Sequence, residues 1–458
     1  MTDYLEFLEK KRHISSNYGI EPKFYPDNMF DFQRYVSDFA IKKGRCAVFL
    51  DTGLGKTLIE LTVAVNYLRE TNKPVLIITP LAVAFQFIKE ADKFGIDDIE
   101  YSKDGKYKSR IVICNYERLD KFNPHDFDCV ILDESSILKN FNGMIKHYVT
   151  NFLKKVKYRF LFTATPSPND FIELGTSSEA LGYLGYMDML SKFFANNENN
   201  IRPQDIGTKW YLKPHATESF FNWVSSWSKS MQKPSDFGFD DSNYNLPKLN
   251  VNYHSVKNDE NMIINNQILL FNQVAQRLTE VREEQKQTIK KRCEIAVELA
   301  SKYDTSVYWC NFNDEGDLLK ELDSDSYQLK GSMDLDKKED LLSNFFAGNI
   351  KKLITKPKMT SFGLNWQHCN HTVYFPTFSY EQYYQSIRRF WRFGQKNEVI
   401  VDLVYSDGQK RVIDTLTMKT QKAIDLFAKL NKSSHQEFSN TIAKFDKELI
   451  LPNFLNRN

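Results

Sequence analysis

Glycine, lysine and threonine stand close together in residues 50–57, which read Leu-Asp-Thr-Gly-Leu-Gly-Lys-Thr. Gly53 and Gly55 allow backbone N–H groups to turn inward around the oxygens of an anion. A helix that begins near Lys56 would add its positive N-terminal end, and the lysine itself supplies a charge for phosphate. The hydroxyl of Thr57 is a suitable magnesium ligand. These residue types at this spacing predict a loop that binds the phosphates of ATP together with Mg²⁺.

The residues on either side of this loop support the same interpretation. An apolar, strand-like run from Cys46 to Leu50 precedes the loop, and a helical pattern from Leu58 to Leu68 follows it. A phosphate loop requires this order of strand, loop and helix. The match to the pattern G-x-x-x-x-G-K-[ST] is incomplete, because Leu50 occupies the position of the first glycine. The prediction therefore depends on a second motif downstream.

Two adjacent carboxylates provide that second motif. Asp133 and Glu134 directly follow the apolar run Val130-Ile131-Leu132. At the end of a buried strand, Asp133 could hold Mg²⁺, commonly through water, and Glu134 could orient and polarise a water that attacks phosphate. An Asp-Glu pair alone is more often a polar strand end. Downstream of a phosphate loop, the pair predicts ATP hydrolysis.

Two further segments could contact or sense the nucleotide. Thr163 and Thr165 follow another apolar run and could hydrogen-bond to the Asp-Glu pair, although an ordinary proline-containing strand exit is the alternative. Gln33 follows Phe30 and Phe32. A glutamine can bind the edge of adenine in a bidentate way while an aromatic ring stacks on the base. We therefore expect the two threonines to couple the site to movement and Gln33 to contact adenine.

Arginine is scarce in this chain, with 16 arginines against 45 lysines, yet three arginines fall within five positions after residue 387. On the helix that this segment predicts, Gln385, Arg389 and Arg392 would share one face at i, i+4 and i+7 spacing. Planar guanidinium groups suit the charge that develops on a γ-phosphate during hydrolysis. A solvated basic helix face is the alternative. We expect Arg389 and Arg392 to be catalytic and Gln385 to couple them to the site.

Composition limits the class of protein. With 458 residues, 41% hydrophobic and 14% aromatic, the chain should form two or three folded domains. It contains no run of 18 apolar residues, so we expect no membrane span, and its first residues lack the features of a secretion signal, so we expect a cytoplasmic protein. The formal net charge is +2, and a nucleic-acid site would therefore need local clustering of charge.

Metal binding through cysteine is not predicted. The six cysteines include no Cys-x-x-Cys pair, which disfavours a zinc ribbon or a thioredoxin-type motif. The tract from His368 to His371 contains two histidines and a cysteine, but no fourth ligand stands at a suitable spacing. Mg²⁺ held by Thr57 and Asp133 is the only metal that we expect.

Apolar runs and helical periods alternate over most of the chain, which is typical of an α/β fold with parallel sheets covered on both faces. Ligands of such folds bind at the carboxyl ends of the strands. An aromatic, helical stretch and a turn-rich linker interrupt the alternation. The predicted organisation is an N-terminal segment (1–27), a first lobe (28–170), an aromatic-rich helical insertion with its own core (171–242), a second lobe (243–432) and a peripheral C-terminal tail (433–458).

Several of these motifs occur together, and in the same order, in superfamily-two helicases. The chain resembles most the Swi/Snf-like branch, and within it the compact phage and prophage type, over roughly residues 28 to 405. The resemblance rests on residues 51–57, Asp-Glu-Ser-Ser-Ile-Leu-Lys-Asn at 133–140, Thr-Ala-Thr-Pro-Ser-Pro-Asn at 163–169, and Gln-x-x-x-Arg-x-x-Arg-x-Gly-Gln at 385–395. Residues 79–83, 246–248 and 361–367 support it.

The resemblance implies two RecA-like lobes with ATP at their interface. It implies that Gln33 contacts adenine, that Gly53 to Thr57 bind the phosphates, and that Arg389 and Arg392 reach the site from the second lobe. It also implies DNA contacts, whose candidate residues are Thr79, Pro80, Asn115 and Tyr116 in the first lobe and Trp309, Gly331, Thr360 and Ser361 in the second.

The sequence departs from the familiar Swi/Snf pattern between Thr355 and Asn365. This stretch is longer than usual and has Thr360-Ser361 in place of paired glycines, which puts in doubt which backbone amides approach DNA. No chromatin-reader or nuclease motif is present in the sequence, and the excess of Lys, Asn, Ile and Phe fits an AT-rich genome such as many phages have.

The resemblance implies an ATP-dependent helicase or translocase acting on duplex or branched DNA, similar in role to phage branch-migration helicases. We expect a monomer that binds DNA without sequence preference and works with phage or host replication and recombination proteins. An RNA helicase is the first alternative. A nucleotide-dependent binding switch that does not unwind DNA is the second.

Overall fold

The computed structural model describes residues 17–196, 210–257, 263–264, 267–268, 278–359 and 365–442. These residues form two lobes, each built on a parallel β-sheet. Thr360 and Ser361, two of the candidate DNA contacts, lie outside the described residues.

The sheet of lobe 1 has seven parallel strands in the order β3-β4-β2-β5-β6-β1-β9. Apolar side chains dominate its central strands and are fully buried, as expected for a sheet covered on both faces. Its strands are β1 (Arg45–Leu50), β2 (Val75–Thr79), β3 (Ile99–Tyr101), β4 (Ile111–Asn115), β5 (Cys129–Leu132), β6 (Tyr158–Thr163) and β9 (Ser228–Met231), and β7 (Phe194–Asn196) and β8 (Trp210–Leu212) form a separate antiparallel pair.

Helices cover both faces of the lobe 1 sheet and create one apolar core on each side. They are α1 (Asp31–Lys43), α2 (Lys56–Glu70), α3 (Leu81–Lys93), α4 (Met144–Lys154), α5 (Leu174–Leu181), α6 (Tyr186–Phe193) and α7 (Thr217–Trp227). Because every strand of the sheet runs in the same direction, the loop before α2, the Asp133-Glu134 pair and Thr163 all lie at one edge.

Lobe 2 repeats the plan with six parallel strands in the order β10-β17-β16-β13-β15-β14. The strands are β10 (Leu249–Val256), β13 (Ser306–Trp309), β14 (Ser326–Gln328), β15 (Lys352–Thr355), β16 (His371–Tyr374) and β17 (Val399–Ser406), with a small antiparallel pair, β11 (Ile263–Ile264) and β12 (Gln267–Ile268). The helices are α8 (Leu278–Gln287), α9 (Ile289–Ala300), α10 (Asn313–Leu322), α11 (Leu335–Phe346), α12 (Tyr380–Ile387) and α13 (Lys410–Ile442). The predicted fold of two parallel-sheet lobes is confirmed.

The aromatic stretch 171–242 does not have a core of its own, contrary to the prediction. Strand β9 pairs with β1 and so becomes the edge strand of the lobe 1 sheet. Trp223 and Trp227 of α7 belong to the same apolar cluster as Phe49 of β1, and the rings of Phe49 and Trp227 meet edge to face at 6.3 Å. The aromatic residues therefore complete lobe 1, because without them one face of β1 would be exposed to water.

The last helix also departs from the predicted boundaries. Helix α13 continues to Ile442 and returns from lobe 2 to lobe 1, where Leu426, Phe427 and Leu430 enter the core that contains α7. Asn431 accepts a hydrogen bond from Ser230 Oγ of β9 at 2.6 Å. The residues on either side of position 432 therefore belong to one helix that packs against lobe 1, because its apolar face finds its partners there.

The six cysteines are all buried with free thiols, and three of them, Cys46, Cys114 and Cys129, lie in the apolar strands of lobe 1. His371, at the end of the tract considered for metal binding, is enclosed by Ser306 and Asp402, each 2.8 Å from a ring nitrogen. In the part of the chain that the structure describes, no helix is both long enough and apolar enough to cross a membrane.

Candidate active site

A cavity of about 990 Å³ lies between the two lobes and brings together most of the predicted site residues. Its lining includes Gln33, Gly53, Gly55, Lys56, Thr57, Asp133 and Glu134 from lobe 1, and Gln385, Arg389 and Arg392 from lobe 2. Residues that are remote in sequence thus face a single space, and neither lobe forms it alone.

The phosphate loop has the backbone geometry that its glycines were expected to provide. Gly53 and Gly55 adopt φ angles of +91° and +78°, in the left-handed region that favours glycine. Helix α2 begins at Lys56, so its positive end points towards the loop. The Lys56 Nζ donates to the carbonyl oxygens of Leu50 at 3.0 Å and Asp51 at 3.4 Å. A bound phosphate would compete with these carbonyls for the lysine.

Gln33 is positioned beside the loop by two hydrogen bonds. Its Nε2 donates to the carbonyl of Leu54 at 3.1 Å, and its Oε1 accepts from the Phe30 N–H at 3.1 Å. Tyr244, from the linker between the lobes, and Phe393, from lobe 2, stack with ring centroids 4.7 Å apart on the same side of the cavity. This aromatic pair was not predicted from the sequence, because its members lie about 150 positions apart.

The Asp133-Glu134 pair is held rigidly at the end of β5. The Thr79 hydroxyl donates to Asp133 Oδ2 at 2.8 Å, and the Tyr116 hydroxyl donates to the Asp133 carbonyl at 2.6 Å. Glu134 has a φ of +52°, the one non-glycine residue in the left-handed region among those described. Its Oε2 is buried without a hydrogen-bond partner. Such strain is characteristic of functional positions, and here it directs the Glu134 carboxylate into the cavity.

Three carboxyl groups, those of Asp133, Glu134 and Glu60, lie close together and disfavour each other's ionisation. Burial and the neighbouring Glu134 raise the pKa of Asp133 to about 7. Glu60 of α2 is fully buried with both carboxylate oxygens unpartnered, and burial together with Asp133 raises its pKa well above the usual range. In the sequence, Glu60 is a single acidic residue inside the apolar run from Leu58 to Leu61, and no role was predicted for it.

These residues fit a magnesium ion. Thr57 and Asp133 supply hard oxygen ligands, and the crowded carboxylates favour a cation. Among the described residues, no group of three or more His, Cys, Asp or Glu side chains is arranged to hold a metal. Thr57 and Asp133 would therefore be the residues that hold a magnesium ion, which would supply positive charge beside the phosphates of ATP.

The buried Glu60 predicts a stability that depends on pH. Because its folded-state pKa lies above the unfolded value, the folded state loses stability as the pH rises from the unfolded pKa towards the folded one. Replacing Glu60 with Gln removes this loss, so the thermal unfolding midpoint of E60Q should exceed that of the parent by a few degrees at pH 8. The difference should shrink as the pH falls towards 5. Glu70→Gln, at a partly exposed ion pair of the same helix, is the control and should show no such trend. A lower midpoint for E60Q at pH 8 would contradict the assignment.

The arginines do not lie on a helix, contrary to the prediction. Helix α12 ends at Ile387, and the following residues form tight turns. The carbonyl of Arg389 accepts from the Trp366 N–H at 3.0 Å, and Gly394 turns the chain with a φ of +90°. These turns replace the helical spacing, yet Arg389 and Arg392 still face the same cavity as Gln385.

The positive charges of the clustered arginines repel one another. Burial and the neighbouring Arg392 lower the pKa of Arg389 to about 9, and burial and Arg388 lower the pKa of Arg392 to about 10. Crowded guanidinium groups in a partly buried space stabilise an anion placed among them. The lobe 2 wall of the cavity therefore suits the charge of a transferred phosphoryl group.

An ion pair joins the lobes at the phosphate loop, and it was not predicted from the sequence. Asp51 of the loop pairs with Arg388 and also accepts from the Tyr384 hydroxyl. Burial lowers the pKa of Arg388, but Asp51 outweighs it and leaves the pKa above the usual value. Arg388 belongs to the arginine cluster in the sequence. No role was predicted for it, because on the predicted helix it would not share the face of Arg389 and Arg392.

The two threonines proposed for coupling lie behind the main cavity. The Thr165 N–H donates to Thr163 Oγ1 at 3.0 Å, and both residues are buried. Thr165 lines a second cavity that also reaches Asp51 and Arg388. The structure therefore places Thr165 beside the cavity that contains the ion pair between the lobes, and it shows Thr163 Oγ1 accepting from Thr165 and not bonded to the Asp-Glu pair as expected. Their part in coupling stays a prediction.

Burial separates the candidate DNA contacts of lobe 1 into two kinds. Thr79 is fully buried, and its hydroxyl is engaged with Asp133. Asn115 and Tyr116 are buried as well, and the side chain of Asn115 accepts a hydrogen bond from the Tyr101 hydroxyl. These three side chains are part of the interior, and only Pro80 retains an accessible surface.

The candidates of lobe 2 divide in the same way. Trp309 is 1% exposed and stacks on Trp366 at 5.5 Å, so its side chain has no surface for DNA. Gly331 is exposed in the turn after β14. The resemblance implied a DNA contact at Trp309, but packing between the sheet and its helices turns the ring inward.

Two family models match the chain over the segments that form the cavity. Residues 30–173 match the model described as DEAD/DEAH box helicase, and residues 287–394 match the model described as helicase conserved C-terminal domain. Together the two ranges cover more than half of the chain, and each contributes one wall of the cavity. The chain belongs to the superfamily-two helicases. Its two lobes contain the two segments that these helicase models match.

Relatives of this helicase core are longer proteins. An uncharacterized ATP-dependent helicase, YqhH, of Bacillus subtilis is 27% identical over 219 residues, which are 44% of this chain and 38% of that protein. The SWI/SNF-related regulator of chromatin subfamily A-like protein 1 of Xenopus tropicalis is 28% identical over 34% of this chain and 17% of its own. The human DNA annealing helicase and endonuclease ZRANB3 is 28% identical over 34% of this chain and 16% of its own. This chain thus matches less than two fifths of the length of each relative.

Solved structures include similar chains. The SWI2/SNF2 ATPase core of Sulfolobus solfataricus in complex with dsDNA superposes with a TM-score of 0.42 and 19% sequence identity, over 90% of this chain and 98% of that one. The same core domain described without DNA gives a TM-score of 0.41 and 19% identity.

Proposed function

We propose that this helicase uses ATP and Mg²⁺ to move along DNA and to remodel duplex or branched DNA. The observation that carries the proposal is the composite cavity. Glu134 and the phosphate loop come from lobe 1, whereas Arg389 and Arg392 come from lobe 2. A site divided in this way can turn over only when the lobes meet, so each ATP cycle is linked to a movement of one lobe against the other.

Each group of residues in the cavity has its own role in the proposed hydrolysis. Lys56 and the N–H groups of the loop bind the phosphates, and Thr57 and Asp133 would hold Mg²⁺, which would supply positive charge at the phosphate oxygens. Glu134 orients the attacking water and accepts its proton, which its buried, unpartnered Oε2 is placed to do. Arg389 and Arg392 stabilise the charge that develops on the transferred phosphoryl group.

DNA is the proposed substrate because the chain shares its core with relatives whose names include a DNA annealing helicase. The role at forks and junctions and the partners among phage or host replication and recombination proteins are proposed from the resemblance of the motifs to phage branch-migration helicases. Action as a monomer in the cytoplasm and a phage origin remain predictions from the sequence.

A substrate panel tests the proposal. ATP turnover and strand separation should be measured with duplex DNA, single-stranded DNA, a fork, a four-way junction and a duplex RNA of matched length. We expect DNA to stimulate turnover, with the fork or junction the best substrate for remodelling. Stimulation by RNA alone would support the RNA helicase instead. Nucleotide-dependent DNA binding without turnover would support a binding switch.

DNA affinity should depend strongly on salt and weakly on sequence. With a net charge of only +2, binding must come from local contacts between basic side chains and phosphates. On duplex DNA, the log–log slope of affinity against salt should be about −0.9 per neutralised phosphate. Fluorescence anisotropy with two unrelated 30-base-pair sequences measures both properties. A flat salt response, or a strong preference for one sequence, would count against translocation.

A further inference from the structure

We propose that Arg388 is a positioning residue for ATP hydrolysis, because its ion pair with Asp51 holds the arginine segment of lobe 2 against the phosphate loop of lobe 1. The inference rests on the proposed ATPase function of the cleft. It assigns to Arg388 a role separate from the one expected of Arg389 and Arg392, since Arg388 contacts the protein and not the phosphate.

The contacts of Asp51 place the pair inside the loop. One carboxylate oxygen accepts from the Thr52 N–H at 2.6 Å and from the Tyr384 hydroxyl, and the other pairs with Arg388. The carbonyl of the same Asp51 accepts from Lys56 at 3.4 Å. A single loop residue therefore contacts both the phosphate-binding lysine and two side chains of the opposite lobe.

The contacts of Arg388 fix it on the lobe 2 side. Its guanidinium lies 4.7 Å from the centre of the Trp391 ring, and Nη1 donates to the Trp391 carbonyl at 3.1 Å. The side chain is 4% exposed. Trp391 in turn donates from its indole to the carbonyl of Pro247 in the linker at 2.6 Å. Arg388 is thus fixed within the turn that also carries Arg389 and Arg392.

This arrangement links the conformation of the phosphate loop to the placement of the arginines. When phosphate draws Lys56 away from the carbonyl of Asp51, the loop that carries the Asp51 carboxylate must readjust. Because Arg389 follows Arg388 directly, a shift of the ion pair moves the catalytic arginine relative to the phosphate. A misplacement of about 1 Å can reduce turnover by roughly 10²-fold, so a residue that sets this distance should influence kcat.

The test measures steady-state ATP hydrolysis by Arg388→Gln, Asp51→Asn and the double variant in the full chain, with duplex DNA present. We expect kcat to fall by about 10²-fold in each single variant, with KM for ATP little changed. The double variant should be no slower than the slower single variant, because both substitutions remove the same contact. Arg388→Lys, which keeps the charge near Asp51 but loses the guanidinium geometry, should have an intermediate kcat.

A matched control separates positioning from stability. Arg292 and Glu315 form another buried ion pair, 2.7 Å apart, but inside lobe 2 and away from the cleft. Arg292→Gln should lower the thermal unfolding midpoint while leaving kcat unchanged at temperatures where the variant is folded. If Arg388→Gln behaves like Arg292→Gln, or if the losses of the single variants multiply in the double variant, the inference is overturned. A parent protein without ATP turnover would instead overturn the proposed function itself.

Discussion

Glu134→Gln should abolish ATP hydrolysis and leave ATP binding intact. The amide keeps the size of the side chain but cannot accept a proton from the attacking water, and removal of a general base costs roughly 10² to 10⁴-fold in rate. Glu134 lines the cavity with its Oε2 unpartnered, whereas Asp133 Oδ2 already accepts from the Thr79 hydroxyl, so Glu134 is the candidate base. Phosphate release under saturating ATP measures turnover, and a fluorescent ATP analogue measures binding.

Two variants serve as references for Glu134→Gln. Glu218→Gln changes an exposed glutamate of α7 and should leave turnover at the parental rate. Lys56→Ala should lose both binding and turnover, because it removes the charge that holds the phosphates. Hydrolysis by Glu134→Gln at the parental rate would show that the water is activated by another group.

Removal of either cavity arginine should have an effect of similar size. Arg392→Ala and Arg389→Ala should each lower kcat by roughly 10³-fold or more, the range known for arginines that reach a phosphoryl group from a second domain. Both guanidinium groups line the cavity opposite the phosphate loop, where they could contact a transferred phosphoryl group. Stopped-flow phosphate release with and without DNA measures the loss.

The exposed Arg282 on helix α8 of lobe 2 provides the control, and Arg282→Ala should hydrolyse ATP normally. If Arg389→Ala and Arg392→Ala both retain full turnover, lobe 2 does not contribute to the chemistry. Hydrolysis would then belong to lobe 1 alone, and its link to lobe movement would be lost.

Local patterns were sufficient to predict the two lobes and most of the cavity. A parallel strand followed by a loop and a helix places the end of the loop at one edge of the sheet. Lys56 and Asp133 could therefore be brought together without knowledge of tertiary contacts, since each follows an apolar run. The resemblance to superfamily-two helicases, and not this local pattern, predicted that Arg389 and Arg392 reach the site from lobe 2, and both follow a helix that ends earlier than expected.

Contacts between distant segments could not be predicted in this way. The pattern of Trp309 at a strand end suits a surface as well as a core, and only packing against Trp366 decides between them. The apolar face of helix α13 packs against lobe 1. The periodicity of the helix predicts that this face is buried but not which lobe it contacts. The ion pair of Asp51 with Arg388 joins residues more than 330 positions apart. The first of these features depends on packing inside lobe 2, and the other two depend on how the lobes meet.

The central claim is that ATP hydrolysis in the cleft drives movement along DNA, and displacement of a third strand from a DNA triplex tests it most directly. The parent protein with ATP should release the third strand from a triplex placed at the end of a duplex track. Neither the parent with a non-hydrolysable analogue nor Glu134→Gln with ATP should do so. Failure of the parent to release the strand, while DNA stimulates its ATP turnover, would contradict the account.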